Sequence, residues 1–255
     1  MNCRKEFEGL LEQIADAADR IAMDYFRSER LAAKRKHDGS VVTAADHAIE
    51  ELARTLAAKS GLELETYGEE FGGKEHSHGT RLIVDPIDGT EEFSRGIPSF
   101  ATLLGIERDG EVVAGLVSAP ALGTRWRGYR GEGAWRGRQR LQVSAVERLA
   151  EAMVITCGTD VRKNHEAVEK MRRVTDAAAI SRGFGGFWQH MLVAEGAAEA
   201  AIDVKMAAWD IAPLLVIVEE AGGRATSLAG ERTILGGSLV TSNGLVHQEV
   251  LEKLR

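Results

Sequence analysis

The stretch IVDPIDGTEEF, Ile83 to Phe93, closes the apolar run Leu82-Ile83-Val84 and then sets two aspartates, a proline, a glycine and a threonine within six positions. The unbroken apolar run predicts a strand over Arg81–Val84 buried on both faces. Carboxylates at the exit of such a strand cost several kcal/mol per ion unless cations compensate them. Divalent metals do so. No histidine or cysteine cluster accompanies the acids, so the donor set favours a hard ion, Mg²⁺ or Mn²⁺, over zinc. Two such ions a few Å apart carry out phosphate ester hydrolysis by polarising the phosphoryl group and activating water. Gly89 and Thr90 suit the same chemistry: if a helix or turn begins there, their N–H groups form a phosphate cradle. The Thr90 hydroxyl can also orient the attacking water.

On either side of this stretch the pattern predicts regular elements. Phe7, Leu10, Leu11, Ile14, Ala18, Ile21 and Tyr25 recur at helical spacing, giving an amphipathic helix over Glu6–Ser28. A second helix starts near Thr43, where Thr43 and Asp46 stand as in a capping box. A strand over Leu62–Tyr67 runs into Gly68-Glu69-Glu70. Strands over Phe100–Ile106 and Val112–Val117 flank Asp109-Gly110, a dipeptide that tolerates the positive φ of a tight hairpin. Beyond residue 141 strands and helices alternate: strand Met153–Thr156, helix His165–Val174, helix Phe187–Glu195, strand Ala197–Val204, helix Ile211–Ala221 with Pro213 in its first turn and Gly222-Gly223 at its end, strand Ser238–Thr241 and helix Val246–Leu254. The expected class is α/β, an α+β half over 1–140 and an α/β half over 141–255, packed as one body.

Composition excludes several functions. Of the 255 residues 44% are hydrophobic, enough for a substantial core. No stretch approaches the roughly 18 consecutive apolar residues of a membrane span, and MNCRKEFEGLLEQ carries charges where a signal peptide needs an apolar region. No membrane partner and a cytoplasmic location are expected. Cys3 and Cys157 are too few for a disulfide framework or a thiolate metal site. A formal charge of −7, from 32 basic and 39 acidic residues, argues against nucleic acid as a partner. The Arg-rich run Arg125–Arg140, broken by glycines and by Trp126 and Trp135, reads as strands with solvated faces. His76 and His78 fall in the polar loop GGKEHSHGT and are read as solvated rather than as metal ligands.

Taken singly, the remaining acids at element ends are unremarkable. Asp210 and Asp46 read as helix N-caps, and Glu69 and Glu70 as a solvated turn. Taken together, Gly68-Glu69-Glu70, Asp85-Pro86-Ile87-Asp88-Gly89-Thr90, and Trp209-Asp210-Ile211-Ala212 followed by Glu220-Ala221-Gly222-Gly223 resemble the signature set of the inositol monophosphatase family, in order and separation. The resemblance implies an alternating αβαβα layered sandwich, commonly homodimeric, with two or three Mg²⁺ (or Mn²⁺) ions per site. It makes Glu69, Asp85, Asp88 and Asp210 metal ligands, joined by the carbonyl of Ile87. It pairs Asp46, in Thr43-Ala44-Ala45-Asp46, with Thr90 to position the water, Glu69 completing the catalytic set. Gly89, Thr90, Asp88 and Asp210 then touch the substrate, and no phosphoenzyme forms. Trp209 is expected as a buried wall beside Asp210.

Within the family, the sequence from FSRGIPSF through GEGAW, WQHMLVAEGAAEAAID, and GGSLVTSNGLVHQEVL look most like the bacterial histidinol-phosphatase branch. Histidinol phosphate brings an amine and an imidazole, so its pocket calls for acids beyond the metal ligands. Asp203, seven residues before Asp210, stands where inositol phosphatases place an acidic substrate contact. Members of the branch often carry an aspartate where this chain has Gly186. An inositol-1-phosphatase or broad sugar-alcohol phosphatase is the alternative. A nucleotide 3′-phosphatase, which lacks an adenine-reading motif here, and a non-catalytic phospholigand-binding relative, which would not need all these acids, are weaker readings.

Overall fold

The computed structural model describes residues 2–28, 31, 33–37, 39–75, 78–156 and 165–255; Cys157 and His76 lie outside them. Helix α1 (Cys3–Tyr25) is capped by the Asn2 side chain, which accepts the Lys5 N–H. It starts three residues before the expected Glu6 because the cap, not the first residue of the apolar pattern, sets a helix end. After the short strands β1 (Lys34–Arg35) and β2 (Val41–Val42) comes α2 (Ala44–Lys59). Then β3 (Leu64–Gly68), β4 (Thr80–Asp88), the five-residue helix α3 (Thr90–Ser94), β5 (Ala101–Arg108), β6 (Glu111–Ala119), β7 (Thr124–Tyr129), β8 (Gly133–Arg136) and β9 (Gln139–Arg140) follow. Strands β3 to β9 form a seven-stranded sheet in sequence order, with β3 parallel to β4 and the rest antiparallel. The β5–β6 turn is made by Asp109 (φ 51°) and Gly110 (φ 85°), as a tight hairpin demands.

The second sheet has the order β11-β10-β12-β14-β13, from β10 (Met153–Thr156), β11 (Ile180–Gly183), β12 (Ala200–Asp203), β13 (Arg224–Thr226) and β14 (Leu239–Ser242). Helices α4 (His165–Thr175), α5 (Gly186–Ala194), α6 (Ala208–Glu220) and α7 (His247–Leu254) cover its faces. Side-chain alternation defines the layers. Leu82, Val84, Leu104 and Leu116 pack on α1 and α2. From the opposite face Ala101, Leu103 and Val117 meet Phe187 of α5 and Ile211 and Leu214 of α6, and the same cluster takes in Ile155, Ala201 and Leu239 of the second sheet. Val154, Ile202 and Val240 turn the other way onto Met171 of α4 and Val250 of α7. The result is the expected five-layer α/β sandwich, αβαβα. Strands β11 and β13 are too short and too exposed, or too glycine-bound, to carry an apolar signature.

The central helix lies close to the larger sheet because glycine lines its path. Gly105, Gly115 and Gly128 pair side by side across β5, β6 and β7. A Cβ on Gly115 would stand 2.7 Å from the Pro213 carbonyl oxygen, and one on Gly128 2.8 Å from the Ile217 Cα. Pro213 lies inside α6 rather than in its first turn, since the helix begins at Ala208, three residues earlier than its apolar pattern suggests. The reason is Asp210: it is not the N-cap but the third helical residue, reaching back to accept the Ala207 N–H at 2.7 Å. Only part of the arginine run is shielded: Arg136, Arg138 and Arg140, on β8, β9 and the turn between them, are exposed as expected, while two arginines of β7 are not. Arg125 pairs with Glu12, Asp16 and Asp19 of α1, and Arg127 with Glu12, so each arginine side chain is only about a fifth exposed.

Candidate active site

A single bulge decides the site. In a regular strand, residues three apart point to opposite faces. Here Asp85 pairs with Leu103 but Asp88 with Ala101, so β4 carries one extra residue between them. Leu103 and Ala101 share the face of β5 that packs toward α5 and α6, and the bulge therefore turns both acids to that face. Pro86 suits the irregular position because it has no N–H to offer the ladder, and its carbonyl accepts the Thr102 hydroxyl at 2.8 Å. Helix α6 brings Asp210 to the same point: ligand atoms of Asp85, Asp88 and Asp210 lie within 4.8 Å of one another.

These carboxylates repel. Asp85 is 2% exposed, and its Oδ1 has no hydrogen-bond partner. Burial, followed by the charges of Glu69, Asp210 and Asp88, pushes its pKa well above the usual carboxylate range. Asp88 is pushed up by burial and by Asp210, against the Phe187 N–H that donates to its Oδ2 at 2.7 Å. Burial raises Asp210 to about 7, the Ala207 N–H opposing it. An orphaned carboxylate oxygen inside a ring of acids is what a hard dication satisfies, so the residues fit a metal.

Glu69 sits at the edge of this cluster. Its Oε1 takes the Lys36 ammonium at 2.8 Å, and Glu70 takes the same ammonium at 2.6 Å. Burial works against the charge on Lys36, but the two acids hold its pKa above the usual lysine range. The Glu69-Glu70 turn is not solvated: the two side chains are 21% and 4% exposed. Asp46 is fully buried and stands third in α2. It is the partner half of a capping box rather than an N-cap, its Oδ2 accepting the Thr43 N–H (2.8 Å) and hydroxyl (2.5 Å). Burial raises its pKa, opposed by those Thr43 bonds. Its Oδ1 lies 3.3 Å from the Thr90 hydroxyl, which donates to the Ile87 carbonyl at 2.8 Å. Gly89 (φ 82°) caps α3, and among the described residues neither its N–H nor that of Thr90 donates to another backbone group. Trp209 is half-buried and edge-on to Tyr67 at 5.4 Å, not the fully buried wall expected.

Four participants escape a reading of motifs. Lys36 lies in a polar segment with no pattern. Glu50, fully buried, accepts the Glu70 and Phe71 N–H groups and is held by Arg54, which fixes the turn that carries Glu69. Its signal was present, one acid four residues after Asp46 and four before Arg54 on a helix. Gln189 and His190 are a polar pair inside an otherwise apolar helix. Gln189 donates to Asp203 Oδ2 at 2.6 Å. Gly186 (φ 60°) lies against the cluster: a Cβ there would be 2.8 Å from Asp88 Oδ2. His78 is exposed.

Three aspartates converge, with Glu69 at their edge and Thr90 nearby, beside two uncommitted backbone N–H groups on a fold of alternating layers; that combination suits a phosphomonoester hydrolase. The comparisons agree. The model of the inositol monophosphatase family matches residues 4–255, and the chain belongs to that family. It is 39% identical over 246 residues to a histidinol-phosphatase of Mycobacterium tuberculosis, covering 94% of this chain and 95% of that protein. It is 31% identical to an inositol-1-monophosphatase of Rhizobium meliloti over 96% of this chain and 94% of that one. Among solved structures it resembles the extragenic suppressor protein suhB of Bartonella henselae, with a TM-score of 0.89 and 27% identity over 97% of this chain and 98% of that one. Among the described residues no helix is long and apolar enough to cross a membrane.

Proposed function

We propose that this phosphatase hydrolyses histidinol phosphate with Mg²⁺, Mn²⁺ being able to replace it, in the cytoplasm and as a homodimer. The observation that carries the metal dependence is the unpartnered Oδ1 of Asp85 among like charges. Asp85, Asp88, Asp210, Glu69 and the Ile87 carbonyl would hold two or three ions. Bound there, the ions supply the positive charge that polarises the ester phosphate and acidifies a water. The chain's own groups do the rest. The N–H groups of Gly89 and Thr90 bind phosphate oxygens. The Thr90 hydroxyl would turn its proton from the Ile87 carbonyl to Asp46 Oδ1, 3.3 Å away, and take up the water's proton; the water oxygen then bonds to phosphorus in line, the ester P–O bond breaks, and the alcohol leaves with a proton from solvent. Lys36 holds only Oε1 of Glu69, which leaves Oε2 to an ion.

The substrate rests on Asp203. It is 7% exposed, and its charge reaches both Asp88 and Asp210. An acid that ligates no metal opposes a phosphate dianion unless the rest of the substrate is cationic. Histidinol phosphate is cationic there, and the stronger similarity to histidinol-phosphatases supports the same reading. A second reading has one observation of its own. Gly186 leaves no acid at its position and no room for a Cβ beside Asp88, which favours a pocket that reads hydroxyls, as for inositol 1-phosphate. Turnover of the two esters side by side, with and without Mg²⁺, decides. Faster histidinol phosphate hydrolysis is expected; equal or slower hydrolysis rejects the assignment. Sedimentation reads the dimer.

A further inference from the structure

Helix α5 touches the site twice. Its first turn gives the Phe187 N–H to Asp88, and its next turn reaches Asp203 at the end of β12. Gln189 is fully buried, with both ends of its amide engaged: Oε1 accepts the Gly185 N–H at 3.3 Å, while Nε2 donates to Asp203 Oδ2 at 2.6 Å and to the Ile202 carbonyl at 3.4 Å. His190, also fully buried, lies with Nε2 3.7 Å from the same Oδ2 and Nδ1 2.8 Å from the Thr241 hydroxyl on β14. Electrostatics selects its tautomer. If Nδ1 carried the proton, the Nε2 lone pair would face a carboxylate in a dry interior. With the Thr241 hydroxyl donating to Nδ1, the Nε2–H faces Asp203 instead. The Gln189 hydrogen bond falls on Oδ2, and so does the approach of His190 Nε2, which is too long for a hydrogen bond and leaves that nitrogen without a partner; among the described residues Oδ1 of Asp203 takes no hydrogen bond.

We propose that Gln189 and His190 are positioning residues that hold Asp203 from behind, present its Oδ1 to an ammonium group of the substrate, and so set a preference for aminoalkyl phosphate esters over neutral polyol phosphates. The inference rests on the reading that Asp203 touches substrate. Its chemistry is simple. A carboxylate with one oxygen pinned cannot rotate toward the metal cluster or sink against the sheet, and its charge stays where a cation can meet it.

The test uses the full-length protein with Mg²⁺, histidinol phosphate and inositol 1-phosphate as substrates, and calorimetric binding of histidinol, an amine without phosphate. Losing one buried hydrogen bond to a charged group corresponds to about tenfold. Gln189→Leu is therefore expected to raise KM for histidinol phosphate and Kd for histidinol about tenfold, with a smaller effect on kcat and less than about a threefold change in KM for inositol 1-phosphate. His190→Leu should act in the same direction, and His190→Gln, which keeps an N–H donor, should recover the loss. If Gln189→Leu fails to fold, Gln189→Asn withdraws the same donor. An equal shift for both substrates, or none for histidinol phosphate while Asp203→Asn raises its KM, overturns the support and leaves the contact standing. A shift from Gln189→Leu alone overturns the part given to His190. An unaltered KM in Asp203→Asn removes the contact itself, and the proposal with it.

Discussion

Asp85 and Asp210 are held in a state that the bare polypeptide disfavours, and this can be measured. Without metal, Asp85→Asn takes one buried carboxyl out of a group whose members push its pKa up, and should raise Tm by a few degrees at alkaline pH, where that group must ionise. Added Mg²⁺ should raise the Tm of the parent protein and leave that of the variant unchanged. A lower Tm in metal-free buffer would contradict the repulsion. Asp210 sets a proton linkage: with its folded pKa at about 7 against the ordinary 3.8, the metal-free protein keeps a proton there that an unfolded chain releases. Metal-free stability therefore falls as pH rises from about 4 to 7, and an ion entering below pH 7 must expel that proton. Apparent metal affinity, followed by Mn²⁺ titration, should drop up to about tenfold per unit below pH 7. Asp88→Asn should nearly abolish Mg²⁺-dependent phosphate release while leaving the circular dichroism spectrum unchanged.

Helix placement governs the next level. The row Gly105-Gly115-Gly128 lets α6 sit against the sheet at backbone contact, and that approach is what delivers Asp210. Gly115→Val would drive a side chain into the Pro213 carbonyl and Val216, each 2.7 Å from even a Cβ. A loss of at least about 1–3 kcal/mol is expected from denaturant unfolding, with phosphatase activity falling further than stability does. Helix α7 carries a histidine with the opposite sign to Asp210. His247 is fully buried, its Nε2 3.0 Å from the Thr226 hydroxyl and Nδ1 2.8 Å from that of Ser242. The Thr226 hydroxyl already donates to the Ser227 carbonyl, so Nε2 carries the proton and Nδ1 accepts. Burial, with Arg224, lowers its pKa from 6.5 to about 4. Stability is thus complete above pH 6.5 and declines as pH falls toward 4, by at most about 3 kcal/mol. In His247→Gln this acid limb should flatten.

The two sheets share one interior, so the molecule should unfold as a unit. Ala101, Leu103, Val117 and Trp126 of the first half are buried against Phe187, Met191 and Leu214 of the second, and the Trp126 indole N–H bonds Glu195 at 2.6 Å. Glu220, known first only as part of a motif, accepts the Gly131 and Gly133 N–H groups at 2.8 Å each and ties α6 to the β7–β8 turn. A single calorimetric transition is expected for the full chain, and a fragment of residues 1–140 should remain unfolded. Two separated transitions would show independent halves.

Most long elements were legible in the chain because one face of each is buried and the apolar period records that face. The αβαβα class and the three converging aspartates came through residue order in a recognisable set. The ends of α6, the roles of Glu50 and Lys36, and the shielding of Arg125 and Arg127 on β7 were not legible. Each depends on groups far apart in sequence: Asp210 against the Ala207 N–H within a packed crevice, Arg125 against acids on α1. Residue types and spacing alone settled that hard oxygen donors gather around a strand exit, since those follow from local chemistry. Which face the acids share, which of them is orphaned, and what stands behind Asp203 were settled by packing, because a bulge's parity and a buried group's partners exist only once the strands and helices meet.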